Sequence, residues 1–389
     1  MDDRKSQDPV KSDTPSTAVL GDTRTPPPAD GASGVSPSID EYLRKRLMPS
    51  EGAIPQLPGI DMYGNSIPAG SVGGDVFEYI NFQQRYNIDA RIAHAEKLAK
   101  EYLEPLADGA IPHNEVDVHV QWMKSKPEYT SDDIEGYRRA KSSEQLRVAE
   151  NLQSLYDIAG VLVVDAEGHG IIAAKIASTV HDTFQAFMLS ELDRNGEATP
   201  DLFERLNVRL AQSVTARNAL GRSKTRNARE IATMLYGEIR AGGHFRFVNF
   251  GHPPPLVFSA KYGKFMEIDK AQMVQFLALG LEIPEDYPDR NKYVSLKVRQ
   301  RQMNASDVAE ITLMGRGDIL FLYTDGVYDG SDESARREIE QIIKGCQQQP
   351  AKVVCNAILD YAVKKDQQLR QMSLGDEVDD KTVFIIKLT

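Results

Sequence analysis

The chain has 389 residues, 41% of them hydrophobic and 26% charged, and its formal net charge is -11. These proportions are typical of a soluble globular protein with a core. The negative charge argues against a nucleic-acid-binding protein, which needs a basic face to replace counterions on phosphates.

No apolar run is long enough to cross a bilayer, and no hydrophobic segment near Met1 resembles a signal peptide. The chain has two cysteines, Cys346 and Cys355, both in a stretch with helical character. Without an export signal, two thiols are expected to stay reduced. We therefore predict a cytoplasmic protein with no membrane and no nucleic-acid partner.

The first 38 residues are rich in Asp, Ser, Thr, Pro and Gly and nearly lack large apolar side chains. Such a tail cannot offset the entropy of ordering and is predicted to be disordered. A folded domain is predicted over residues 39–389, with its first strand near residues 61–65.

Residues 82–150 differ from the rest, because apolar residues recur at helical spacing near both ends of the stretch. Between these ends, residues 109–127 read as an irregular polar piece that holds Trp122. We predict a mainly helical insertion, most of whose apolar faces form a local core. A surface for a regulator is the alternative.

After the insertion, the next predicted strand covers residues 159–164, an apolar run typical of a strand buried on both faces. Several strands with helices from two separate stretches indicate an α/β sandwich with antiparallel pairing. The predicted elements are a helix after Gly170, a helix from Thr199-Pro200, a hairpin over 231–239 and 245–250, a strand at 318–323, helices at 333–344 and 351–368, and a closing strand at 382–388.

Carboxylates stand where these predicted strands meet loops: Asp75, Asp165, Asp325 and the pair Asp379-Asp380. Carboxylates that converge repel one another and raise each other's pKa unless a cation compensates. Hard cations such as Mg²⁺ and Mn²⁺ prefer oxygen ligands. A single aspartate at a strand end is more often a turn residue or a helix cap. Four such clusters together favour a metal site.

Five segments resemble, in order, the motifs of the PPM/PP2C metal-dependent protein phosphatases, within the bacterial SpoIIE/RsbU-like branch. The similarity runs over about residues 40–389 apart from the insertion. The segments are 57–75, ending in Val72-Gly73-Gly74-Asp75, D-A-E-G-H-G at 165–170, N-F-G-H-P-P-P-L at 249–256, Y-T-D-G-V at 323–327 and D-D-K-T at 379–382.

The resemblance implies an α+β fold, a PP2C-like α-β-β-α sandwich of two mostly antiparallel sheets flanked by helices, with a pair of Mn²⁺ or Mg²⁺ ions. The implied reaction is hydrolysis of phosphoserine or phosphothreonine on a regulatory protein by a metal-activated water. In this branch the substrate is often an anti-sigma-factor antagonist. The implied metal ligands are Asp75, Asp165, the Ala166 carbonyl, Asp325 and Asp379, with Asp380 adjacent.

Two residues have open roles. His169 would be either a general acid toward the leaving alkoxide or a hydrogen-bonding group of its turn. Glu78 stands where the branch has a second aspartate, and would be a water-mediated metal ligand.

Two other function classes compete with a phosphatase. A catalytically weak scaffold that uses the same fold to bind a signalling partner is favoured by Glu78 and by the insertion. It is disfavoured by the retention of four mutually repelling carboxylates. A metal-dependent nuclease is disfavoured by the net charge.

Overall fold

A computed structural model describes residues 54–107, 109–168, 170–219, 231–268, 273, 275–281, 308–371 and 378–389, with the side chains of 212–219 and 275 excepted. The predicted tail 1–38 and His169 lie outside these residues. The elements are β1 (Ile60–Ile67), β2 (Asp75–Asn81), α1 (Phe82–Tyr86), α2 (Ile88–Leu103), α3 (Glu115–Lys124), α4 (Ser131–Ser154), β3 (Ile158–Ala166), α5 (Gly170–Asn195), α6 (Pro200–Ala219), β4 (Ala232–Arg240), β5 (His244–Phe250), β6 (Leu256–Ser259), β7 (Lys264–Met266), β8 (Gln275–Phe276), β9 (Ala309–Thr312), β10 (Ile319–Tyr323), α7 (Glu333–Cys346), α8 (Ala351–Gln371) and β11 (Lys381–Leu388).

The strands form two sheets. The first has the order β1-β11-β10-β6-β7, and the second has the order β2-β3-β4-β5-β8, with β9 also paired to β5. Every pairing between these strands is antiparallel except the short one between β5 and β8. The predicted α+β sandwich of mostly antiparallel sheets is therefore confirmed.

Period-two alternation builds three apolar layers from these strands. Phe77, Val161 and Val163 of the second sheet pack against Leu320 and Phe384 of the first, in the core between the sheets. Neighbouring residues along the same strands point outward to the helices, and α5 and α6 cover the second sheet while α7 and α8 cover the first. Burial on both faces explains why β3, β10 and β11 appear in the sequence as continuous apolar runs.

The stretch between β2 and β3 consists of α1 to α4. Its far end has a small core of its own, formed by Tyr102, Val116 and Val120. Beside this core the buried Arg138 donates to Asp117 at 2.8 Å. The prediction that residues 109–127 are irregular is wrong, because α3 lies there and begins where the Asn114 side chain accepts from the Asp117 amide.

Cys346 and Cys355 are both free thiols. Of the helices in the described ranges, none combines the length and apolar character that a bilayer crossing requires.

Candidate functional site

Asp75 and Asp165 lie side by side on neighbouring strands of the second sheet. Asp75 is the first residue of β2, Asp165 lies near the end of β3, and the two are paired in register. An antiparallel pair places the start of one strand beside the end of the other. Asp75 is 7% exposed.

The first sheet brings the remaining carboxylates to the same edge. Asp325 follows β10, and Asp379 and Asp380 directly precede β11, which pairs with β10. Asp325, Asp379 and Asp380 all lie near enough to the Asp165 carboxyl to raise its pKa. Carboxylates from four separate chain segments thus meet between the two sheets.

Mutual repulsion and burial act on this cluster. The pKa of Asp75 is raised well above its usual value, first by burial and then by Asp165. The pKa of Asp165 is raised to about 7 by burial and by Asp325. Burial and the neighbouring Asp325 also raise the pKa of Asp379. A cluster with these pKa shifts is stabilised either by protons or by a bound cation.

Two threonines from the first sheet hold the Asp75 carboxylate. The hydroxyls of Thr324 and Thr382 each donate to Asp75 Oδ2 at 2.7 Å. The Thr382 amide donates in turn to Thr324 Oγ1 at 2.9 Å. Both threonines lie within the motif segments, but no local pattern assigns them a role.

Asp380 is committed to the protein backbone. Its buried carboxylate accepts from the Ala69 amide at 2.6 Å and from the Gly74 amide. A Cβ at Gly73 would lie 2.4 Å from Asp380 Oδ1, so a glycine is required there. Asp325 and Asp379 are exposed, and the Asp379 carboxylate accepts from the Asp380 amide at 2.8 Å.

Ala166 lies buried beside Gly74. Its amide donates to the Gly74 carbonyl at 3.4 Å, and a Cβ at Gly74 would lie 2.8 Å from the Ala166 carbonyl oxygen. The absence of a side chain at Gly74 keeps this carbonyl close to the start of β2.

The structure does not bring Glu78 to the cluster. Residues three apart on a strand point to opposite faces, so Glu78 faces the helices while Asp75 faces the other sheet. Its carboxylate accepts from Arg85 and from Gln185 Nε2, and lies 3.0 Å from His181 Nε2. The alternation of side chains along a strand would have predicted from the sequence that Glu78 and Asp75 point to opposite faces.

A buried lysine anchors the loop that carries Asp379. Lys381 Nζ donates to the Asp379 carbonyl at 2.9 Å and pairs with Asp366 of α8. The lysine side chain is only 3% exposed. Lys381 is the lysine of the D-D-K-T motif, and no role was predicted for it from the sequence.

The donor set is made of oxygens alone, which fits a hard divalent cation. As the side chains stand, however, no three or more His, Cys, Asp or Glu among the described residues form a group already spaced to hold a metal ion. Two of the carboxylates, those of Asp75 and Asp380, are instead held by protein donors.

Several solved structures resemble this fold at low sequence identity. The RsbU and RsbW domains of a Mycobacterium tuberculosis protein match with 16% identity and a TM-score of 0.46, over 87% of this chain and 64% of that one. The phosphatase domain of Bacillus subtilis SpoIIE, with a fragment of its regulatory domain, matches with 12% identity and a TM-score of 0.43, over 86% of this chain and 64% of that one. RsbX in complex with magnesium matches with 11% identity and a TM-score of 0.40, over 86% and 98% of the two chains.

The matches thus cover 64% of each of the first two solved chains, which is less than two thirds of their length. No curated protein sequence is significantly similar to it. The sequence model of the family described as Stage II sporulation protein E (SpoIIE) matches residues 158–389, which is more than half of the chain. The match begins at β3, so Asp75 lies outside it. The chain therefore belongs to the SpoIIE family.

Proposed function

We propose that this protein is a metal-dependent serine/threonine phosphatase that removes phosphate from a phosphorylated regulatory protein. The observation that carries the proposal is the meeting of Asp75, Asp165, Asp325 and Asp379 at one edge of the sandwich. Burial and neighbouring carboxylates raise the pKa of Asp75, Asp165 and Asp379, and shared divalent cations would stabilise the ionised form of these groups.

The residues that would hold two Mn²⁺ or Mg²⁺ ions are Asp75, Asp165, Asp325 and Asp379, with the Ala166 carbonyl. When bound, such ions lower the pKa of water and neutralise charge on phosphoryl oxygens. Asp380, already bonded to the Ala69 and Gly74 amides, would position the loop instead of binding an ion directly.

The exposure of the carboxylates suggests the direction from which substrate approaches. Asp75 is buried behind its two threonines, whereas Asp325 and Asp379 are exposed. A phosphorylated side chain would therefore enter from the side of Asp325 and Asp379.

The test is hydrolysis of p-nitrophenyl phosphate and of a phosphoserine peptide by the full chain with added Mn²⁺. Asp325→Asn should reduce kcat by about a hundredfold or more, because it removes a metal ligand. Asp329→Asn is the matched control, since Asp329 is exposed nearby but caps the turn at Ser331. Wild-type protein that binds Mn²⁺ yet hydrolyses neither substrate would favour the scaffold.

A further inference from the structure

A cavity of about 220 Å³ opens on the helix-facing side of the second sheet. Its floor is formed by β4, β5 and β9, and one wall is formed by Thr199, Pro200 and Phe203 at the beginning of α6. Glu238 in this floor lies opposite Gly160, whereas Thr233 of the same strand lies opposite Asp165. At about 3.3 Å per residue, the cavity is roughly 17 Å along β4 from the acidic cluster, so the two are separate.

A row of charges crosses the cavity floor in strand register. Glu238 of β4 pairs with Arg246 of β5, and Arg246 pairs with Glu310 of β9. The Glu238 carboxylate is buried, and it accepts from Arg246 Nη2 at 2.9 Å and from the Tyr236 hydroxyl at 2.8 Å. Both Glu238 oxygens are thus occupied by protein donors, which fixes the Arg246 guanidinium in place.

The lining carries more negative than positive charge. Glu197, Glu238 and Glu310 surround a single cation, Arg246. Burial alone would lower the pKa of Arg246, but Glu238 and Glu197 outweigh it and the pKa is raised. The beginning of α6 adds about half a positive charge. Within the lining the carboxylates thus outnumber the cations. Their partners outside the lining are weak: His244 Nε2 lies 3.8 Å from Glu310 Oε1, and Asn151 Nδ2 donates to Glu197 Oε1 at 3.4 Å.

The other part of the lining is aromatic and aliphatic. The rings of Phe203 and Tyr236 lie 5.3 Å apart, and Val248 and Val308 complete the apolar surface. Apolar side chains of this kind accept a hydrocarbon body.

We infer that this cavity is a binding site for a small organic cation, an ammonium group on an apolar body. The cation would be attracted by Glu197 and Glu310, the carboxylates that Arg246 leaves in excess. Its apolar body would lie against Phe203, Tyr236 and Val248. The volume suits one small molecule, so we assign the site to a free amine. This inference uses neither the acidic cluster nor phosphatase activity.

The experiment is isothermal titration of the full chain at neutral pH with three probes of one shape and different charge. These are 2-phenylethylamine, neutral 2-phenylethanol and anionic phenylacetate. We expect the amine to bind at millimolar concentration or better and the other two at least about tenfold more weakly. Nα-acetyl-lysine amide tests the same ammonium on a protein side chain, and weaker binding of this probe supports a free amine as the ligand.

Glu197→Gln and Glu310→Gln should each weaken amine binding by about threefold to tenfold, because each removes one attractive charge at constant size. Glu267→Gln is the matched control, an exposed glutamate on the other sheet outside the cavity, and should leave binding unchanged. Equal binding of all three probes, no amine binding by folded protein, or no effect of the two cavity variants would overturn the inference.

Discussion

Thr382 Oγ1 lies 2.7 Å from Asp75 Oδ2 and thereby joins the last strand of one sheet to the first residue of β2 in the other. Thr324 makes a second bond of the same length to the same oxygen. These contacts fix the orientation of a buried carboxylate at the point where the two sheets meet.

Thr382→Val should therefore lower both stability and metal-dependent activity. Leaving the buried Asp75 with one donor fewer should cost about 1–3 kcal/mol of unfolding free energy, measured by urea denaturation. We expect Mn²⁺ affinity to fall by about tenfold, because the ligand is less well oriented. Thr312→Val, on the exposed face of β9, is the control. Equal stability of the two variants would contradict this role for Thr382.

Lys381→Met tests two opposite effects on metal binding. Removing a positive charge beside the cluster would by itself tighten Mn²⁺ binding, but Asp366 already neutralises that charge. The loss of the bond to the Asp379 carbonyl should dominate, so we expect affinity to fall by about tenfold in titration calorimetry. Lys381→Arg should recover part of the loss. Tighter binding by Lys381→Met would show that charge, not anchoring, is the main effect.

Glu78→Gln separates a metal ligand from a structural ion pair. Since Glu78 contacts Arg85, His181 and Gln185 on the helix-facing side of β2, Mn²⁺ affinity should stay within about threefold of wild type. Stability should fall by about 1–3 kcal/mol, because Arg85 loses its buried charged partner. Asp325→Asn is the positive control, because it removes a proposed metal ligand and should lose Mn²⁺ affinity. A comparable loss in Glu78→Gln would restore Glu78 as a ligand.

His252 should make the protein sensitive to acid. The ring is fully buried, 2.8 Å from Thr233 Oγ1, and burial lowers its pKa from 6.5 to about 3. Between these values the unfolded chain binds more protons than the folded one, so stability is complete above pH 6.5 and falls as the pH drops toward 3. The free energy of unfolding lost on acidification because of His252 is at most about 5 kcal/mol.

The check is the slope of unfolding free energy against pH for wild type and His252→Asn. The variant should be less stable at neutral pH but should lose less stability on acidification. Parallel slopes for the two proteins would mean that His252 titrates normally in the folded state.

Sequence patterns predicted the strands β1, β3, β4, β5, β10 and β11 and most of the helices, because burial on both faces leaves continuous apolar runs and helical packing leaves a 3.6-residue period. The strands β2 and β6 to β9 were not predicted. The sequence also located Asp75, Asp165, Asp325 and Asp379 at strand ends. Asn114 is a capping residue that could have predicted the start of α3. The two-residue period of a strand could have predicted that Glu78 points away from Asp75. Both were local features that the sequence interpretation overlooked.

Contacts between distant residues depend instead on how the elements pack. Asp75 and Thr382 are 307 positions apart, and their contact depends on how two sheets stack. The Lys381–Asp366 pair depends on α8 packing beside β11, and the cavity depends on β9 pairing with β5. Local patterns report whether a residue is buried and on which face of its element. Contacts between distant segments are set by strand order and layer packing, which no local pattern contains.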